Sequence, residues 1–88
     1  MTPVERGMRA LAETLGYGDW DAVDALSRDK LKAAARAVLE AIREPDLYMT
    51  ESGAEIVRHV GSNESEEAYR NDAANTWRFM IAGALGQD

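Results

Sequence analysis

The chain has 88 residues, 45% of them hydrophobic and 30% charged, a composition suited to one small globular domain with one core rather than to a disordered chain. It contains no cysteine, which excludes disulfide staples, zinc–thiolate sites and cysteine nucleophiles and fits a reducing, cytoplasmic setting. Ten basic against sixteen acidic side chains leave a formal charge of −6, which opposes non-specific attraction to phosphate.

No apolar run approaches the roughly 18 residues that span a bilayer, so no membrane association is expected. The opening Met1-Thr2-Pro3-Val4-Glu5-Arg6 lacks a cationic start followed by an apolar stretch, so no secretion signal is expected either.

Thr2 is suited to N-cap a first helix, with Pro3 at its first position and Glu5 completing a capping box. Val4, Met8, Leu11, Ala12 and Leu15 then recur along one stripe, and Gly16 supplies a left-handed stop. Tyr17-Gly18-Asp19-Trp20 reads as a turn whose two aromatics fold back onto the core. Asp21 to Leu26 forms an extra short helical turn, after which Ser27 caps the second main helix. That helix is rich in alanine and buries Leu31, Ala34, Ala35, Val38, Leu39 and Ile42 until Pro45 stops it near Glu44.

A third helix is predicted from about Asp46, its cap, to Val60, closed by Gly61, with Met49, Ile56, Val57 and Val60 inward. Gly53 lies inside it at a cost of about 1 kcal/mol relative to alanine. Either the helix starts later, capped by Thr50, or another backbone passes close to Gly53. After a loop from Gly61 to Ser65, Asn63 with Glu66 makes a capping box for a fourth helix. Its stripe is Tyr69, Ala73, Trp77, Met80, Ile81, Ala84 and Leu85. Phe79 falls toward the flank or surface, near Asn75 and Arg78, because consecutive helical positions differ by about 100°. The fold class is therefore all-α: a compact bundle of four helices with antiparallel neighbours, in one domain over residues 1–88.

Few residues are left for chemistry. Glu51, Glu55 and His59 stand at successive i+4 steps, a set that can hold a divalent metal, but the Glu-x-x-x-His spacing occurs once, and a solvated acidic face explains it. Ser27, Ser52, Ser62 and Ser65 all sit where capping or turns account for them, and neither a phosphate-binding loop nor a dinucleotide fingerprint is present. No catalytic, cofactor-binding or metal residue is assigned, and no cofactor is expected.

Arg28, Lys32 and Arg36, spaced i, i+4, i+8 with Lys30 nearby, hold positive charge at a helix N-terminus, where the macrodipole disfavours it. They fit a phosphate backbone, an acidic partner, or a solvated face paired with Glu64, Glu66 and Glu67. The alanines between them offer neither base-edge contacts nor stacking, so nucleic acid is not the expected partner.

Two segments carry a resemblance. The run from Ala35 to Pro45 that reads Ala-Arg-Ala-Val-Leu-Glu-Ala-Ile-Arg-Glu-Pro, followed by Met49 and Gly53-Ala54, resembles small uncharacterised helical proteins of bacteria and phages. Trp77-Arg78-Phe79-Met80-Ile81 with Ala84-Leu85 is similar to the Trp-Arg-x-Met-Ile ending of that group. The resemblance runs from the second half of the second helix to the C-terminus. It implies a phage-related or accessory setting and, because the group has no established activity, carries over no functional residue.

The expected role is thus a non-enzymatic protein–protein interaction or assembly module. It acts on a protein partner or on a second copy in a twofold dimer, with Arg28, Lys32, Arg36, Arg78 and Phe79 as candidate contact residues. The alternative is a small nucleic-acid-associated regulator, or an acidic nucleic-acid mimic presenting Glu64, Glu66, Glu67 and Asp72. A metal-binding protein ranks below both.

Overall fold

Helix signals at both ends of each apolar stretch resolve into four α-helices in the computed structural model, which describes residues 1–60 and 64–87. They are α1 (Pro3–Thr14), α2 (Ala25–Ala41), α3 (Leu47–Val60) and α4 (Glu66–Leu85), with a single 3₁₀ turn at Trp20–Ala22. No strand occurs among the described residues, so the chain is all-α. The residues fall into two compact units: one spans Met1–Ala41 and takes in the C-terminal residues from Gly83, and the other is Ile42–Ala82.

In the first unit, Thr2 caps α1 as expected: its hydroxyl accepts the Glu5 backbone N–H at 3.1 Å, and Pro3 stands at the first position. The Glu5 carboxylate is taken by Arg9 at 3.2 Å, one turn on, instead of returning to the cap. Gly16 ends the helix at φ +76°, a left-handed geometry that glycine adopts without a Cβ penalty. The Gly16 N–H reaches Glu13 O at 3.3 Å and the Tyr17 N–H reaches Ala12 O at 2.9 Å, the paired bonds of a Schellman stop.

Ala12, Val23 and Leu31 form the buried cluster here, with Met8, Leu11 and Trp20 packed against it. Leu15 and Tyr17, both expected in the core, are exposed. Leu15 is the C-cap residue of α1 and Tyr17 follows the left-handed Gly16, so neither lies within the helix. Gly7 stands opposite Ala35 while Ala12 clusters with Leu31, so α1 and α2 run antiparallel.

Ser27 does not cap α2. Asp24 does, its carboxylate accepting the Ser27 N–H at 2.6 Å, and the helix starts at Ala25. A carboxylate three residues ahead of a free N–H is the stronger acceptor at a helix N-terminus, where the macrodipole also favours negative charge. Its hydrogen bonds to Ser27 hold the Asp24 carboxyl below the usual carboxylate range. A depressed folded-state value means that this stabilisation is complete above the unfolded value and disappears as pH falls through the folded one. The Asp24→Asn variant, a neutral cap, is therefore expected to match the wild type at neutral pH and to lose less stability below about pH 4. Thermal unfolding followed by circular dichroism between about pH 7 and pH 2 checks this; parallel decline of both proteins would refute it.

α2 stops at Ala41, three residues before the predicted end, and Ile42–Glu44 form a turn ahead of Pro45. On its predicted face Leu31 and Ala35 are buried and Leu39 is half-buried, whereas Ala34, Val38 and Ile42 are exposed.

In the second unit, Asp46 caps α3 as expected, accepting the Met49 N–H at 2.9 Å; Thr50 instead turns its hydroxyl back to Leu47 O. The Gly53 question is settled by distance. A Cβ built there would lie 2.8 Å from the Ala73 Cβ, so the glycine lets α3 and α4 approach closely. Gly53 opposite Ala73 and Arg58 bonded to Glu66 set the two helices antiparallel.

Buried along α3 is Ala54, with Gly53 and Val57 half-buried; Met49, Ile56 and Val60 are exposed, contrary to expectation. On α4, Tyr69, Ala73, Ala74, Ile81 and Leu85 are buried and Met80 is not. The N-cap of α4 is Ser65, whose hydroxyl accepts the Ala68 N–H at 3.1 Å, so the helix starts at Glu66. Gly61 and Asn63, the predicted stop and cap, lie outside the described residues.

Candidate functional site

Arg28, Arg36 and Arg78, three of the sequence-nominated cations, each have hydrogen-bond partners in the fold. Arg28 donates from Nε to Val23 O (3.1 Å) and from Nη2 to Trp20 O (2.8 Å), and its guanidinium stacks 4.5 Å from the centre of the Trp20 indole. Arg9 covers the same ring at 5.2 Å, so the indole lies against two guanidinium groups. These contacts hold the 3₁₀ turn against the start of α2, and they place Trp20 on the core as the sequence suggested. Lys32 is half-buried and lines the cleft that holds Arg9, Trp20 and Arg28. Arg36 donates from Nη1 to Leu85 O at 2.8 Å, satisfying a carbonyl at the end of α4. None of these contacts involves the predicted acidic cluster; Glu66 of that cluster pairs with Arg58.

Arg78 forks onto Glu44, with Nε 3.0 Å and Nη2 2.9 Å from Oε2, and also donates to Asn75 Oδ1 at 3.0 Å. Its neighbour Trp77 donates its indole N–H to Ile42 O at 2.8 Å. Trp77 and Arg78 therefore pin the turn that follows α2 from adjacent positions on α4. Phe79 is 77% exposed, at the surface as the helical geometry predicted.

The two sides of the α3–α4 pair differ in chemistry. On one side a shallow cleft is lined by Glu51, Ala54, Glu55, Arg58, Glu66 and Arg70. Arg58 bridges Glu55 (2.8 Å) and Glu66 and lies 5.7 Å from the ring of Tyr69, whose hydroxyl accepts the Glu64 N–H at 3.0 Å. The bond to Glu66, followed by that to Glu55, holds the Arg58 guanidinium still more firmly protonated than usual, and Arg58 in turn holds Glu66 below the usual carboxylate range. These pairs sit at the surface, where each contributes little to stability. With Glu55 engaged by Arg58, and His59 Nδ1 bonded to Glu55 O, the Glu51–Glu55–His59 ladder is a surface face. No group of three or more potential metal ligands converges among the described residues.

The opposite side is an apolar groove of about 260 Å³ whose walls include Met49, Ile56 and Val57 from α3 and Trp77 and Met80 from α4, with Gly53, Ala73 and Thr76 between. No ionisable side chain lines it. Ile56 is 68% exposed and Met80 64% exposed. Val60, 81% exposed, follows Ile56 by one helical turn and continues the apolar surface. An apolar surface this continuous on a small chain marks a contact site more often than chance.

Sequence reasoning assigned Met49, Ile56, Val57, Val60, Ala73, Trp77 and Met80 to the core and Phe79 to the flank or surface. The available signal was the pair Gly53-Ala54, since small residues mark the face that packs closest, leaving the bulky stripe of Met49, Ile56 and Val60 beside it. Comparison of the chain with family models, curated proteins and solved structures finds no match. No helix among the described residues is long and apolar enough to cross a membrane.

Proposed function

We propose that the chain is a non-enzymatic protein–protein interaction module whose contact surface is the apolar face of α3 and α4. One observation carries this reading: the groove between Met49, Ile56, Trp77 and Met80 is open and free of ionisable lining, while charged side chains collect on the other side of the same helix pair. Interface centres are depleted in charge and enriched in aromatic residues and methionine, and this face matches that composition. The Arg28, Arg36 and Arg78 guanidinium groups support the reading indirectly. They donate to backbone carbonyls and to Glu44, contacts that serve the fold, which favours the apolar face over the basic stripe as the contact surface.

The test is a photoreactive benzophenone amino acid placed at Met80, or at exposed Glu67 as a control, in the full chain expressed in its native cells. Protein adducts at position 80 and few at position 67 are the expected result. Equal, background-level adducts at both positions would overturn the proposal.

A further inference from the structure

We infer that the occupant of the α3–α4 groove is the same face of a second copy of this chain, in a twofold pair. This rests on the interaction reading above and names its partner. Three features of the face support it.

The first is charge. A chain of net charge −6 repels its own copies, so two copies meet with least cost where ionisable groups are fewest. The groove lining contains none, and the carboxylates of Glu51, Glu55 and Glu66 lie on the opposite side of the helix pair.

The second is shape. A twofold contact needs one surface that carries both a hollow and something to fill it. Here Gly53 and Ala73 leave the hollow, and Ile56 and Met80 stand out beside it, 68% and 64% exposed. Under a twofold axis the projecting side chains of each copy enter the hollow of the other.

The third is area. Met49, Ile56, Val60 and Met80, all exposed, together offer at most ~500 Å² of coverable surface per copy. Pairing them buries ~1,000 Å² in all, the low end of the range, as a weak and reversible pair requires.

Sedimentation velocity of the full chain over a concentration series tests the inference. A reversible dimer is expected. It should tighten as salt rises, because salt screens the repulsion between acidic copies and leaves apolar contacts intact. Ile56→Glu and Met80→Glu place a charge in the interface twice over and are expected to weaken the dimer by ~100-fold or more. Their far-ultraviolet circular dichroism should match the wild type, since both side chains are already exposed. A wild type that stays monomeric up to ~1 mM, or variants that dimerise as tightly as the wild type, would overturn the inference. If the wild type is monomeric and position 80 still forms adducts with other proteins, the second copy is ruled out and the interaction reading stands. If there is neither a dimer nor an adduct, both are ruled out.

Discussion

Replacing Gly53 with alanine is expected to destabilise the protein by about 2 kcal/mol, although the same exchange in an ordinary helix interior stabilises by about 1 kcal/mol. The opposite sign comes from the neighbour. The new Cβ would sit 2.8 Å from the Ala73 Cβ, and that atom is fixed to the α4 backbone, so it cannot swing aside as the tip of a longer side chain would. Relief requires α3 and α4 to separate, which loosens the packing of Ala54 and Tyr69, both buried in this unit. Overpacking of this kind typically costs 1–3 kcal/mol.

The compensating exchange makes the argument quantitative. Ala73→Gly alone is expected to cost about 1 kcal/mol through helix propensity. The Gly53→Ala/Ala73→Gly double variant moves the methyl across the contact and is expected to return to within about 1 kcal/mol of the wild type, a coupling of about 2 kcal/mol. Urea unfolding of the four proteins measures the cycle. A Gly53→Ala variant more stable than the wild type would show that the helices have room between them.

Trp77→Ala is expected to cost about 2–3 kcal/mol, below the full range for a buried tryptophan because the side chain is half-buried. Two losses combine. The indole wall of the groove disappears, and Ile42 O loses the N–H that reaches it from 35 residues away. Trp77→Phe separates them, retaining most of the apolar surface without the donor. It is expected to cost about 1 kcal/mol, since exposed Ile42 can be reached by water once the indole N–H is gone. Chemical denaturation of both variants checks the ordering. Trp77→Ala within about 0.5 kcal/mol of the wild type would show that the turn after α2 does not depend on α4.

These two positions also mark where sequence reasoning reached its limit. Gly53 was recognisable as an anomaly, but one sequence offers no means of choosing between a late helix start and a close neighbour. Trp77 was read as core because its spacing from Tyr69 and Ala73 is helical, and spacing carries no information about an indole N–H aimed at a carbonyl 35 residues earlier. The exposed stripe of Met49, Ile56 and Val60 had the same periodicity as a buried one. Periodicity says that a face is apolar and is silent on whether its cover belongs to this molecule or to another. The basic stripe was legible as charge, but the carbonyls that Arg28 and Arg36 reach depend on where the Trp20 turn and the end of α4 arrive in space.

Local chemistry by itself determined the helical class, the Thr2, Asp24 and Asp46 caps and the glycine stop at Gly16. Each depends on groups within about four residues along the chain, a range over which backbone geometry is already set. Only the tertiary structure decided that the turn after α2 is held by Trp77 and Arg78, and that α3 turns its small residues inward and its large ones out. Those outcomes turn on which of several comparable local options leaves fewer polar groups unpaired and fewer atoms overlapping once distant segments meet, and that comparison exists only in three dimensions.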